Sequence, residues 1–241
     1  MPVIRLAPDG PPGDGLAPMA VDPADFQTAP AEQRIHVYYE DEAKGFAVGI
    51  WTTTDMQEAF GPYPGDEFMV VLEGRVEMLD SAGAATPVET GEAFATRNGA
   101  PLGWRQVGFL KKAFLLMSCG DDSDPIDGEG VFVARPTPGA HALADAEEMI
   151  GGGRQREATL YRNDRGDMEA GIWETTAFES EVAPFTVHEF AHIIEGEATI
   201  TETDGKAHRF AAGESLFIPA GTICGWRSET GLRKYFAAVS P

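Results

Sequence analysis

The sequence has few of the residues that characterise disulfide-bonded or membrane-spanning proteins. Its 241 residues include only two cysteines, Cys119 and Cys224, too few for a disulfide framework or a zinc-type cysteine cluster. No uninterrupted apolar stretch approaches the roughly 20 residues that span a bilayer. The first residues contain one arginine and no long apolar core, so they do not resemble a secretory signal. We therefore expect a cytoplasmic location and no membrane partner.

Basic residues are also scarce. The chain has 18 lysine and arginine residues against 39 aspartate and glutamate residues, a formal net charge of -21. Such a surface repels the phosphate backbone of a nucleic acid and an anionic membrane. We predict no nucleic-acid partner and attribute the acidic surplus to solubility.

What the sequence does contain is an internal repeat with a constant offset of 122 residues. Self-similarity of this kind indicates duplicated structural units. Matched segments include Gly49-Ile50-Trp51 with Gly171-Ile172-Trp173, Glu67-Phe68 with Glu189-Phe190, Glu73-Gly74 with Glu195-Gly196, and Gly103-Trp104-Arg105 with Gly225-Trp226-Arg227. The repeat predicts one domain over residues 1–122 (core 47–117) and a second over 123–241 (core 169–239).

Each copy is composed of short strand-like runs separated by glycine turns, a pattern typical of an all-β barrel or jelly roll. We interpret Glu-Gly within each copy as a tight turn between two strands. Residues 3–6 and 131–135 each predict one further strand, added either to the barrel of the same copy or to that of the other copy. At most, short helices are expected near 22–26 and 141–149.

The matched motifs resemble the cupin superfamily. They are Glu-Phe, four strand residues, Glu-Gly, a Gly-Glu strand and Gly-Trp-Arg, with Pro219-Ala220-Gly221 in the second copy. The resemblance is closest to the subgroup containing ureidoglycine aminohydrolase and the ethanolamine-utilisation cupins (DUF861-like). It implies two tandem RmlC-like cupin barrels, each a double-stranded β-helix or jelly roll. It is specific for the fold and much less so for the function, since cupins carry many chemistries.

The resemblance also implies a metal site of two histidines, a glutamate and a further histidine or glutamine. Here Glu67 and Glu189 keep the carboxylate position. The other ligand positions hold Gly61, Tyr63 and Leu102 in the first copy and Ala183, Phe185 and Cys224 in the second. The first copy then offers Glu67 and Tyr63, which is a poor ligand at neutral pH, and the second offers Glu189 and Cys224. A stable zinc or manganese site needs three or more ligands, so no metal cofactor is predicted. Manganese or zinc at a non-standard site is the alternative.

Two histidines beside Glu189 could in principle substitute for the missing ligands. Because neighbouring residues on a strand point to opposite faces, His188 and His192 would share the face opposite Glu189. We expect them outside the barrel, as a surface or interface pair.

A carboxylate inside an apolar barrel is costly unless it is paired. We hypothesise that Lys112 pairs with Glu67 and that Lys234 pairs with Glu189, each ammonium standing where a metal would be. Arg105 and Arg227 are alternative partners. The pairs could equally be purely structural, or all four charges could face the solvent.

Aromatic walls around one charged group suit a small organic ligand. The candidate pocket residues are Tyr63, Glu67, Arg97, Leu102, Trp104 and Lys112 in the first copy, and Phe185, Glu189, Cys224, Trp226 and Lys234 in the second. The tryptophans could instead be barrel plugs, and Cys224 is expected to be a small buried hydrophobe rather than a nucleophile.

Three functions remain open from the sequence. The first is binding of a small organic molecule, such as a carboxylate or ureide, in one barrel. The second is metal-free acid–base catalysis of the epimerase or isomerase kind, with Glu67, Glu189 or Tyr63 as candidate catalytic residues. The third is the metal-dependent aminohydrolase activity that the resemblance implies. Whether the chain is an enzyme is left undecided, and either a monomeric pseudo-dimer or a homodimer is expected.

Overall fold

A computed structural model describes residues 1–118, 125–146 and 151–241. The chain forms two compact units. The first comprises Ala7–Val133, and the second comprises Met1–Leu6 together with Ala134–Pro241. Both predicted cores lie within separate units, but the boundaries differ from those predicted: the first six residues belong to the second unit, and the described residues 125–133 belong to the first.

The first unit is built almost entirely of antiparallel strands. Its strands are β2 (Ala17–Met19), β3 (Gln33–Asp41), β4 (Phe46–Thr53), β5 (Met56–Gln57), β6 (Gly61–Pro62), β7 (Gly65–Glu73), β8 (Arg75–Leu79), β9 (Ala85–Glu89), β10 (Ala93–Thr96), β11 (Pro101–Gln106), β12 (Leu110–Ser118) and β13 (Val131–Ala134). One sheet has the order β13-β10-β7-β12-β4-β3-β2, and the other has β5-β11-β8-β9 with β6 beside β11. Two 3-10 turns complete it, Pro23–Asp25 and Glu42–Lys44.

The second unit repeats this arrangement. Its strands are β1 (Ile4–Leu6), β14 (Ala144–Asp145), β15 (Gln155–Arg162), β16 (Met168–Thr175), β17 (Phe178–Glu179), β18 (Ala183–Pro184), β19 (His188–Glu202), β20 (Ala207–Ala211), β21 (Ser215–Ile218), β22 (Ile223–Ser228) and β23 (Leu232–Val239). One sheet has the strand order β1-β21-β19-β23-β16-β15-β14. On the opposite side, β20 and β22 pair with β19, and β17 and β18 pair with β22. The all-β double-barrel prediction is confirmed.

The two strands predicted outside the repeat, at residues 3–6 and 131–135, each join a barrel, as expected. Ile4–Leu6 pairs with β21, with Ile4 opposite Phe217, and β13 lies beside β10 in the first barrel. The N-terminal strand therefore joins the second barrel, whereas β13 joins the first barrel, which precedes it in the chain.

The predicted helices are only partly present. Asp22 caps a single 3-10 turn at Pro23–Asp25, where its carboxylate accepts a hydrogen bond from the Ala24 N–H at 2.9 Å. The segment 141–149 is extended at Ala144–Asp145, because that pair lies against Arg156 and Glu157 in β15. Residues 147–149 lie outside the described part of the chain.

The Glu-Gly motif is a corner rather than the predicted tight turn. In the second unit β19 continues through it, pairing with β21 and β23 before Gly196 and with β20 and β22 after it. Gly74 and Gly196 have φ of 88° and 84°. A Cβ at either position would lie 2.2 Å from a backbone carbonyl oxygen. Glycine is thus required where the strand crosses from one sheet to the other.

Among the described residues, no helix is long and apolar enough to cross a membrane.

Candidate functional site

The predicted ion pairs are present in both barrels. Lys112 Nζ lies 2.8 Å from Glu67 Oε1, and both side chains are 8% exposed. Lys234 Nζ pairs in the same way with Glu189 Oε1. The alternative partners bind elsewhere, Arg105 to Glu77 and Arg227 to Glu229.

The two pairs form because the strands have the same register in both copies. Lys112 lies opposite Val71 and Lys234 lies opposite Ile193, each beside a register shift in the ladder. The carboxylate is four residues away on the partner strand, so the long lysine side chain reaches back along the sheet. The Lys112 Nζ atom also lies 3.0 Å from Met69 Sδ.

All four tryptophans of the chain surround the two ammonium groups. Lys112 Nζ lies 4.9 Å from the ring centroids of both Trp51 and Trp104. Lys234 Nζ lies 5.0 Å from Trp173 and 4.5 Å from Trp226. Aromatic faces attract cations at such distances. The matched tryptophans therefore help to hold a buried charge as well as filling the barrel.

The first barrel adds two groups to its ion pair. The Tyr63 hydroxyl donates a hydrogen bond of 2.6 Å to Glu67 Oε2. Burial and the neighbouring carboxylates of Glu67 and Glu58 raise the pKa of Tyr63 well above its ordinary value. Tyr63 is therefore a hydrogen-bond donor at neutral pH and not a base. Glu67 is engaged on both oxygens, by Tyr63 and by Lys112.

Glu58 is the second addition. Burial raises its pKa to about 7, partly offset by the Lys112 charge and reinforced by the carboxylates of Glu67 and Asp25. Its backbone N–H donates to the Trp104 carbonyl at 2.8 Å, which positions it beside the cage. Glu58 is half-buried and changes protonation near neutral pH.

The second barrel lacks both additions. The positions matching Tyr63 and Glu58 hold Phe185 and Ser180. The Ser180 hydroxyl accepts a hydrogen bond from the Trp226 backbone N–H at 2.8 Å. The indole N–H of Trp226 is buried and has no partner among the described residues.

Cys224 is buried in the second barrel, as predicted. Burial, together with the Glu202 and Glu189 carboxylates, raises the pKa of its thiol to about 11. The thiol is protonated at neutral pH and is a weak nucleophile.

The remaining predicted pocket residues occupy different depths. Leu102 and Trp104 are members of the first hydrophobic core, and Trp226 belongs to the second. Phe185 packs on the second core from its edge, with its ring stacked on Trp226 at 6.5 Å. Arg97 is half-buried directly after β10, and its backbone N–H donates to the Gly130 carbonyl at 3.0 Å.

Of the two alternatives for His188 and His192, the surface pair is wrong because both residues are buried, and the interface pair stays a prediction. His188 and His192 are 5% and 6% exposed, and each ring packs beside an aromatic ring of a neighbouring strand. His188 stacks on Phe217, and His192 stacks on Tyr235 and lies 2.8 Å from Ser215 Oγ. Burial lowers the pKa of His192 to about 4, so the ring is neutral in the folded protein.

These features agree with comparisons to known proteins. Residues 163–236 match the EutQ-like cupin domain. A solved protein of unknown function from Pseudomonas syringae pv. tomato, of the DUF861 family, is similar over 98% of both chains, with 21% identity and a TM-score of 0.78. The second unit therefore contains the match to the EutQ-like cupin domain, and the whole chain shares the fold of that DUF861-family structure.

Two further solved structures share the cupin fold at lower identity. The protein Ylba from E. coli, also of the DUF861 family, is 11% identical over 98% of this chain and 93% of its own, with a TM-score of 0.58. A cupin 2 conserved barrel domain protein from Leptotrichia buccalis is 10% identical over 89% and 92%, with a TM-score of 0.59. No curated protein matches the chain.

The residues present do not fit the metal that this fold often holds. The carboxylate that would bind it is engaged by an ammonium group in each barrel, and a cation there would be repelled by the lysine. Within residues 1–118, 125–146 and 151–241, no group of three histidine, cysteine, aspartate or glutamate side chains could hold a metal ion.

Sequence reasoning missed Glu58 and the caging role of Trp51 and Trp173. The repeat shows both tryptophans, but a matched aromatic is equally typical of a barrel core. Glu58 lies in a polar stretch outside the matched motifs. The only signal in the sequence is that the second copy has Ser180 at the position that matches Glu58.

The raised pKa of Glu58 predicts a pH-dependent stability. The folded protein holds the Glu58 proton from about pH 4.5 to 7 while the unfolded chain releases it, so stability falls as pH rises through this range. Replacing Glu58 by Gln should therefore raise the free energy of unfolding at pH 8 by on the order of 1–2 kcal/mol and leave it unchanged near pH 4. Urea denaturation at both pH values measures this.

The exposed Glu181 provides the control. Glu181→Gln should change stability little at either pH. An equal response of the two variants would show that Glu58 is fully solvated.

Proposed function

We propose that the first barrel is the functional one and binds a small, polar, ureide-like organic molecule at its mouth without a metal. The observation that carries this proposal is the asymmetry between the copies. Both keep a caged Glu–Lys pair, but only the first surrounds it with the Tyr63 hydroxyl and the Glu58 carboxyl. A pair needed only for the barrel core would not require either addition.

The charges favour a neutral ligand over an anion. Lys112 is already neutralised by Glu67, and Glu58 adds a further negative charge whenever it ionises. A dicarboxylate would be repelled above pH 7. A ureide offers both N–H donors and a carbonyl acceptor, which match a glutamate that can accept or donate a hydrogen bond.

The depth of the residues supports a ligand position at the barrel mouth. Trp104 and Leu102 are 2% and 6% exposed, so side chains fill the interior behind the ion pair. Tyr63 and Glu58 are only half-buried. A ligand would contact these two groups and approach the Lys112–Glu67 pair from outside.

Metal-free acid–base catalysis is the second candidate. The pKa of Glu58, raised to about 7, is matched to proton transfer at neutral pH. Glu67 is engaged by two partners and Tyr63 keeps its proton. The general acid or base would therefore be Glu58, with Lys112 as a fixed positive charge that stabilises a developing anion.

Thermal-shift measurements in EDTA-containing buffer test the binding proposal, with hydantoin and acetylurea as neutral ureide probes and malonate as the carboxylate probe. At least one ureide should stabilise the wild-type protein. Tyr63→Phe and Glu58→Ser convert the first barrel to the residues of the second, so each should abolish the shift without unfolding the chain.

Glu189→Gln tests the second barrel. The ligand-induced thermal shift should persist in this variant. If Glu189→Gln abolished the shift while the Tyr63 and Glu58 variants retained it, the ligand would bind in the second barrel. Stabilisation by malonate alone would contradict the ureide preference. Stoichiometric metal in the purified protein would overturn the metal-free site.

A further inference from the structure

A long loop of the first unit lies against the segment that carries Glu58. Residues 20–32 connect β2 to β3, and these two strands pair with Met19 opposite Gln33. The two ends of the loop therefore lie side by side, as in an Ω-loop. Connections of this length are uncommon within compact domains and often serve as lids over binding sites.

The middle of this loop pairs with the backbone on both sides of Glu58. Phe26 forms an antiparallel β-bridge with Glu58 itself. Backbone hydrogen bonds flank the bridge, from the Ala59 N–H to the Asp25 carbonyl at 2.7 Å and from the Gln27 N–H to the Gln57 carbonyl at 2.8 Å. The loop thus runs directly beside the carboxyl group that changes protonation near neutral pH.

Most of the loop is exposed to solvent. Residues 22–25 and 27–30 are exposed, Phe26 is half-buried against the first hydrophobic core, and Ala31 belongs to that core. A segment that buries so little apolar surface opens locally at a much lower free energy than the barrel unfolds.

The charge of Glu58 opposes closure of the loop. Burial of the Glu58 carboxyl raises its pKa to about 7, the Lys112 ammonium opposes this rise, and the carboxylates of Glu67 and Asp25 add to it. The Tyr63 hydroxyl beside it keeps its proton. An ionised Glu58 is repelled by Asp25 on the loop and is better hydrated when the loop is open. Closure of the loop and protonation of Glu58 therefore favour each other.

We propose that residues 20–32 form a lid over the first barrel, which closes when Glu58 carries its proton and opens when Glu58 is ionised. The lid rests on the proposed function in one respect, that the ligand lies at Glu58. A closed lid would separate a neutral ligand from water, and Asp25 would repel an anionic one.

Amide hydrogen exchange measured by NMR at pH 6 and pH 8, without ligand, tests the lid. The Gln27 and Ala59 N–H groups bridge the lid and the barrel, so their protection factors report its opening. Both factors should fall about tenfold between these pH values, because Glu58 releases its proton near pH 7 in the closed form and near its ordinary pKa of 4.5 in the open form. A fall of less than about twofold overturns the proposal.

Two glutamate variants show whether Glu58 is the group that titrates. Glu58→Gln should make the protection factors at pH 6 and pH 8 equal within about twofold. Glu181→Gln changes an exposed glutamate of the second unit and should keep the tenfold fall. A pH response that survives Glu58→Gln contradicts the lid.

The Val71 N–H distinguishes opening of the lid from unfolding of the barrel. It donates to the Glu92 carbonyl at 3.0 Å, away from the lid. In the wild-type protein this amide should be at least about a hundredfold better protected than the Gln27 amide. Equal protection of the two would mean that the lid opens only when the barrel unfolds, which overturns the proposal.

Phe26→Ala removes the aromatic anchor of the lid. It should lower the protection of the Ala59 amide at pH 6 by at least about fivefold, because the closed lid then buries less apolar surface. Phe109→Ala makes the same change at an exposed phenylalanine of the same unit outside the lid and should leave that protection within about twofold. Equal losses in the two variants contradict the anchoring role.

A ligand arm separates the lid from the proposed function. Hydantoin or acetylurea at ten times its dissociation constant should raise the protection of the Gln27 amide about tenfold, if the ligand lies under the closed lid. Binding without this rise overturns the lid. A tenfold pH response in a protein that binds neither ureide supports the lid and contradicts the proposed function.

Discussion

Replacing Lys112 by methionine should lower the free energy of unfolding by about 3–5 kcal/mol. The change leaves Glu67, which is 6% exposed, without its counter-charge in a cage of aromatic rings. Tyr63 alone still donates to that carboxylate, which is too little to offset its desolvation. Equilibrium urea denaturation of the full chain measures the loss.

The double variant Glu67→Gln with Lys112→Met is the matched control. It removes both charges at nearly constant volume, so most of the lost stability should return. A loss below about 1 kcal/mol for Lys112→Met alone would contradict this prediction, because a loss of that size is typical of an exposed ion pair. Lys234→Met should lose less than Lys112→Met, because Glu189 is more exposed, with its side chain at 14% against 8%.

Gly196→Ala and Gly205→Ala should differ sharply in stability although both glycines have the same φ of 84°. The shared left-handed conformation costs alanine about 1–2 kcal/mol at either position. At Gly196 the new Cβ would also lie 2.2 Å from the Gly231 carbonyl oxygen, whereas nothing lies within 4 Å at Gly205. Gly196→Ala should therefore cost at least about 2 kcal/mol more.

Thermal or chemical denaturation of the two variants measures this difference. The comparison cancels the backbone strain and isolates the close approach of the two chain segments. Equal losses would show that the sheet corner at Gly196 can relax to admit a side chain.

Much of the fold could be predicted from local pattern alone. Short β-rich runs between glycines indicate a barrel, and the constant offset indicates two. The Glu67–Lys112 pairing was also predictable, because a barrel interior excludes water and both copies retain the same two charged residues. Matched positions then take matched registers, as Val71 and Ile193 show opposite the two lysines.

Other features depend on strands that are distant along the chain. Alternation along β19 predicts which face of the sheet His192 occupies. Its burial, however, depends on residues of other strands, including its neighbours Ser215 and Tyr235. The corner at Gly196 resembles a hairpin turn in sequence, and only the pairing of β19 with four other strands shows that it is not.

The sequence by itself therefore determined the two barrels, through its periodicity and its repeat, and it indicated the two Glu–Lys pairs. The resemblance to cupins added the positions at which the usual histidines are absent. Only the tertiary structure identified Glu58 beside the first pair and the burial of His192. Both depend on desolvation by residues remote in sequence, which no local pattern encodes.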